Sequence, residues 1–168
     1  MKNFILILSV FMILSCGKNT TDKNDSIIGK KFEKIKDIKK LSNYTKISDT
    51  TIYGNNSEPK HGILHLRDDV NNMIVLNRIT LDSIDEDRIF EVLDTLIIPN
   101  LNKPELITIG YCQVNKDNDE NLISIVDKTD SLLVQNIKKV WRANTATEKI
   151  ERVADLNGIN CLNEWFAQ

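Results

Sequence analysis

His61 and His65 stand four residues apart, the spacing at which two imidazoles on one helical turn share a metal ion. The run that holds them, HGILHL, carries Gly62 among aliphatic residues in a strand-like pattern. On a strand the two rings lie about 13 Å apart, too far for one ion. Asn115, Asp117 and Asp119 alternate as the first ligands of a calcium loop do, but Glu120 stands where the sharp turn needs Gly and Val126 where a bidentate Glu is needed. That segment reads as a solvated turn. Asp82, Asp85, Glu86 and Asp87 crowd what reads as a helix start, where the macrodipole favours acids without any catalytic pair. The sequence has neither a Gly-rich phosphate loop nor a Gly-x-Ser-x-Gly elbow. Cys112 and Cys161 lack a nucleophile setting, since a His partner has to come from the only two in the chain. The reading is therefore a non-enzyme with no catalytic residue, no metal and no cofactor. The rival is an enzyme whose site is assembled from scattered acids such as Asp68, Asp69 and Glu164, which requires a deep pocket around a carboxyl of raised pKa.

Recognition chemistry is centred on aromatics. Trp141, Arg142, Trp165 and Phe166 are the residue types that dominate binding hot spots, although the same side chains also close a core. With 22 basic against 24 acidic residues, the net charge of −2 excludes the basic excess that nucleic-acid binding demands. The 168 residues, 41% of them hydrophobic, suit one globular domain.

The elements that must position these groups follow from periodicity. Residues 61–66, 73–81, 106–114, 121–127, 137–144, 150–153 and 158–162 are short runs rich in Ile, Val, Leu and Thr, and predict strands. Residues 115–121 (NKDNDEN) predict a turn; Leu133, Ile137, Val140 and Trp141 also satisfy a helical period, and the hairpin connection read at residues 144–149 decides that segment for strand. Between them, Ser83-Ile84-Asp85-Glu86 has the form of a capping box, with Ile89, Leu93, Leu96 and Ile97 following at helical spacing. Upstream, residues 30–41 (KKFEKIKDIKKL) place Phe32, Ile35, Ile38 and Leu41 at intervals of three between six lysines. They predict a helix that packs a narrow stripe on the domain and shows its lysines to solvent; contact with anionic lipid is the alternative. Residues 42–60 read as an irregular connection. The expected fold is α+β, a mostly antiparallel β-sheet with one or two helices packed on it.

The first residues say most about where the chain works. Lys2 precedes an apolar run over residues 4–14, which as a helix covers about 16 Å, half of the hydrocarbon core and too little for a lasting span. Ile13-Leu14-Ser15-Cys16 then resembles the lipobox of bacterial lipoproteins. The resemblance implies a signal peptide over residues 1–15, and Cys16 as the first mature residue, acylated with palmitate-type chains that hold the protein to membrane lipid. Residues 17–21 lack the acidic cluster resembling surface-export signals of Bacteroidetes lipoproteins, which implies an outer-membrane anchor facing the periplasm. Residues 16–29 become a polar tether, residues 30–60 the helix and connection, and residues 61–168 the globular domain. Residues 137–144 and 158–164 are also similar to the ends of small Bacteroidetes lipoproteins of unknown function. Ser26 and Thr50 sit in triplets that resemble O-glycosylation acceptors of exported proteins. Losing Lys2 takes the mature charge to −3. If Cys16 is lipidated, Cys112 and Cys161 remain as a pair in an oxidising compartment, bonded to each other or separately buried. The functional expectation is a non-catalytic binding or accessory module of the cell envelope with a protein partner, or an inhibitor or immunity-type protein.

Overall fold

Runs in which Ile, Val and Leu crowd successive positions, such as GILHL and LISIV, have no outward face to show to water, so each must be a strand covered on both sides. The computed structural model, which describes residues 26–54, 58–81, 88–164 and 166, arranges thirteen strands in three antiparallel sheets. The first sheet has the order β1 (Lys31–Phe32), β5 (Arg88–Pro99), β4 (Asn71–Leu81), β3 (His61–Arg67), β2 (Thr45–Ile52). The second has β12 (Lys149–Val153), β11 (Ile137–Asn144), β9 (Leu122–Asp127), β6 (Glu105–Ile109). The third is built from shorter pieces: β10 (Leu133–Val134), β13 (Ile159–Leu162), β7 (Cys112–Val114) and β8 (Asp117–Asp119).

Side-chain alternation stacks these sheets. Ile63, Ile74 and Leu76 of the first sheet meet Ile123, Ile125 and Ala143 of the second in one core. The opposite face of the second sheet, through Leu122, Val126 and Val140, meets Cys112, Ile159 and Cys161 of the third. The outer face of the first sheet, through Leu64, Leu66, Val75 and Val92, is covered by Ile27, Phe32, Ile38 and Leu41. Residues on both sides of position 61 thus belong to the same packed body.

Strand makes up 58% of the described residues and helical turns 5%, so the fold is β-rich and the α+β expectation is corrected. Over residues 30–41 the structure has β1 and two single turns of 3-10 helix, Ile35–Asp37 and Lys39–Leu41, in place of an α-helix. The reason lies in the stripe itself. Intervals of three are the period of a 3-10 turn, in which residues i and i+3 eclipse, and they drift off the face of an α-helix. Phe32, Ile38 and Leu41 are accordingly buried, the Phe32 ring stacks on Phe90 at 5.4 Å, and the Asp37 carboxylate accepts the Glu33 and Lys34 N–H groups.

The second expected helix is β5 over its described part; the capping box itself lies outside the described residues. β5 pairs with β4 from Arg88 to Pro99, with an irregularity that skips Leu93 between the pairs Asn77↔Val92 and Leu76↔Asp94. That bulge turns both Leu93 and Asp94 toward the second sheet, where Leu93 joins the core and Asp94 accepts the Ile150 N–H at 2.9 Å. Val92 faces the opposite way. Burial on two faces plus a one-residue slip spaces apolar residues by three and four, which imitates a helix.

The remaining corrections are smaller. Residues 42–60 contain β2, an exposed edge strand whose Thr- and Ser-rich sequence hides its pairing with β3. The strand expected over residues 106–114 breaks at Gly110, whose φ of +77° lets the chain cross from the second sheet to the third. Residues 115–121 hold a tight turn at Asn115 and Lys116, both at positive φ, and then β8. The hairpin over residues 144–149 forms between β11 and β12, with Asn144 Oδ1 accepting the Ala146 and Thr147 N–H groups.

Candidate functional site

The antiparallel register of β3 and β4 sets His61 opposite Arg78 and Gly62 opposite Asn77. Successive residues point to opposite faces, so this end of the first sheet carries two recesses.

On the face toward the second sheet a cleft of about 500 Å³ is lined by His61, Arg78 and Glu148 with Ile79 and Arg88 at its edge. Arg78 Nη1 donates to Glu91 Oε2 at 2.9 Å and Nη2 donates to Glu148, which the β11–β12 hairpin presents at a φ of +56°. The two carboxylates push the guanidinium pKa up, led by the Glu148 hydrogen bond, while Arg78 holds the Glu148 carboxyl below the usual carboxylate range. His61 Nε2 lies 3.8 Å from Glu148 Oε1 without a hydrogen-bond partner among the described residues. Burial pushes the His61 pKa down, with Glu148 opposing. A carboxylate engaged by Arg78 is a weak orienting partner for an imidazole, and the nearby Thr80 hydroxyl donates to the Ile89 carbonyl. The group therefore works as a charged clasp joining the first two sheets.

On the outer face a groove of about 380 Å³ runs past Phe32, Lys34, Thr50, Gly62, Asn77 and Phe90. Asn77 is buried, and its Oδ1 has no partner among the described residues. A Cβ on residue 62 would lie 3.1 Å from that oxygen, so Gly62 is what admits the amide.

The sequence candidates fall at separate places. His65 is buried at the far end of β3, its Nε2 donating to Asn72 Oδ1 at 2.9 Å, an oxygen that also accepts from Arg67 Nε. His61 and His65 thus answer to different partners, and no cluster of three metal-ligating side chains occurs among the described residues. Asp119 pairs with Arg142 and accepts from Asn121. Trp141 packs half-buried between the first and second sheets with Arg152 5.1 Å over its ring, while Arg142 lies on the other face of β11. Phe166 is exposed; Trp165 lies outside the described residues, as does Cys16. Thr50 is within β2 and Ser26 hydroxyl accepts the Ile28 N–H. Asp68 caps the β3–β4 turn through the Val70 and Asn71 N–H groups, which hold its carboxyl low, and Asp69 is exposed beside it. Glu164 is elsewhere, beyond β13; burial raises its pKa, with the Thr108 hydroxyl opposing, but its recess is only about 10 Å³, room for one water. Those three acids do not form one site.

Cys112 and Cys161 form a disulfide between directly opposed residues of β7 and β13, both sulfurs fully buried in the third core.

Arg78, Glu148 and Asn77 carry no sequence signal as a set. Only an Asn inside an aliphatic strand run hinted at one of them.

Burial that lowers both histidine pKa values gives the histidines a pH effect of definite sign, while the raised Glu164 pKa works the opposite way. Unfolded imidazoles, with pKa about 6.5, take up protons before the folded ones, so stability is complete above that value and falls as pH drops through it. Urea midpoints are expected to decline from pH 7 toward 5, and His65→Gln to flatten the decline. A decline as steep in His65→Gln as in the wild type contradicts the account.

No protein-family model, curated protein or solved structure matches this chain.

Proposed function

We propose that the chain is an exported bacterial lipoprotein whose mature form begins at acylated Cys16, held at the outer membrane and facing the periplasm, where it acts by binding and not by catalysis. The observation that carries this reading is the Cys112–Cys161 bond. Buried disulfides persist in oxidising compartments, which is where a lipobox-type signal sends a chain. The bond also uses two of the three cysteines, leaving Cys16 as the one thiol available for acylation. Binding, as opposed to catalysis, is supported by the site chemistry: the Glu148 carboxylate is engaged by Arg78, His65 by Asn72, and Asp68 by backbone N–H groups. The partner is a component of the envelope, a protein being the class that a β-rich domain with exposed sheet edges suits best.

The test is metabolic labelling with radioactive palmitate in a Gram-negative host. Label is expected in the wild-type polypeptide and in the membrane fraction, and both are expected to be lost in Cys16→Ser. An unlabelled wild-type chain, or a variant that fractionates as wild type does, contradicts the reading.

A further inference from the structure

Burying the stripe of residues 30–41 on the first sheet leaves the other side of that segment to solvent. Lys30, Lys31, Lys34, Lys36, Lys39 and Lys40 are all exposed there, against only Glu33 and Asp37, and the Asp37 carboxylate is turned inward onto two backbone N–H groups. The segment thus carries +4 in a mature chain of net −3, so the remaining mature residues carry −7. Ile28, just ahead of the lysines, is 48% exposed, while neighbouring Ile27 is buried. The layer order puts this surface at one extreme of the stack and the third sheet at the other.

We propose that this lysine face is a docking surface for anionic phospholipid headgroups, and that it orients the domain with residues 28–40 against the bilayer and the third sheet away from it. The setting rests on the lipid-anchored reading above. The ten peptide units from Cys16 to Ser26 reach at most about 35 Å, so an anchored chain keeps the face near the headgroups. Close to an anionic surface each lysine gains attraction that fades within a Debye length of about 8 Å, and an exposed aliphatic beside the lysines adds the apolar contact that interfacial segments use. Uneven charge is the deciding feature: the −7 remainder is repelled by the same surface, so only one orientation is favoured.

The experiment uses residues 16–168 with Cys16→Ser, which contains every core residue among the described ones, since these begin at Ile27. Vesicles of phosphatidylcholine, with and without about 30% phosphatidylglycerol, are the probe. Co-sedimentation is expected only with phosphatidylglycerol at low salt. Lys36→Gln/Lys39→Gln is expected to lower partitioning about thirtyfold. Lys116→Gln/Lys128→Gln, which removes the same charge away from this segment, is expected to leave it within about twofold. Absence of lipid-dependent binding, or equal loss in both double variants, overturns the proposal. Because the protein used carries no acyl chain, such a failure is distinct from failure of palmitate labelling, which would overturn the anchor instead.

Discussion

Replacing both Cys112 and Cys161 with Ser is expected to cost about 4 kcal/mol of stability, as the bond closes a loop whose ends are 49 residues apart. The third sheet explains why so much rests on it. Its strands are two to four residues long, too short to bury much surface alone, and they hold to the second sheet through Cys112, Ile159 and Cys161 against Leu122, Val126 and Val140. With the bond gone, the unfolded chain regains its loop freedom. The Ser124 hydroxyl, 3.2 Å from Cys112 Sγ, offers a partner to the hydroxyl that Cys112→Ser introduces, which keeps the desolvation cost modest. Urea melts of both proteins at neutral pH are the check, with a lower midpoint and a steeper slope expected, because the freed unfolded chain exposes more surface. A difference under about 1 kcal/mol would mean that the bond constrains little.

The second large effect separates the β5 strand from the helix that its sequence spells. Leu93 and Ile97 share one stripe on a helix, and truncating either should then cost alike. In the structure Leu93 is 8% exposed within the core between the first two sheets, while Ile97 is 48% exposed. Leu93→Ala is therefore expected to cost about 3 kcal/mol, and Ile97→Ala about 0.5 kcal/mol or less. Equal losses at the two positions would contradict the strand.

How far the sequence reveals the fold depends on how each segment is buried. β3, β4 and β9 are legible because runs of aliphatic residues end at polar turns, whereas β11 also fits a helical period and is settled by the hairpin that follows it. β2 is not, since an edge strand exposed over most of its length has no apolar alternation to display. Residues 30–41 mislead because intervals of three fit both a 3-10 turn and a loose helical stripe, and only the sheet beneath decides between them. β5 misleads through its bulge. The site is less legible still. His61 draws notice by type, but Arg78 reaches it through strand register and Glu148 through the stacking of sheets. Neither relation exists along the chain. The Cys112–Cys161 bond, by contrast, is one of two outcomes that counting leaves once Cys16 is assigned to lipid, and the structure decides it against separate burial.

Counting thiols is also the most direct test of that assignment. Native protein isolated from membranes, unfolded without reductant and treated with an alkylating reagent, is expected on the proposed reading to take up no label, since an acylated Cys16 offers no thiol and the other two sulfurs are bonded to each other. One labelled thiol at position 16 would remove the lipid anchor from the account, and labels at 112 and 161 would remove the oxidising compartment with it.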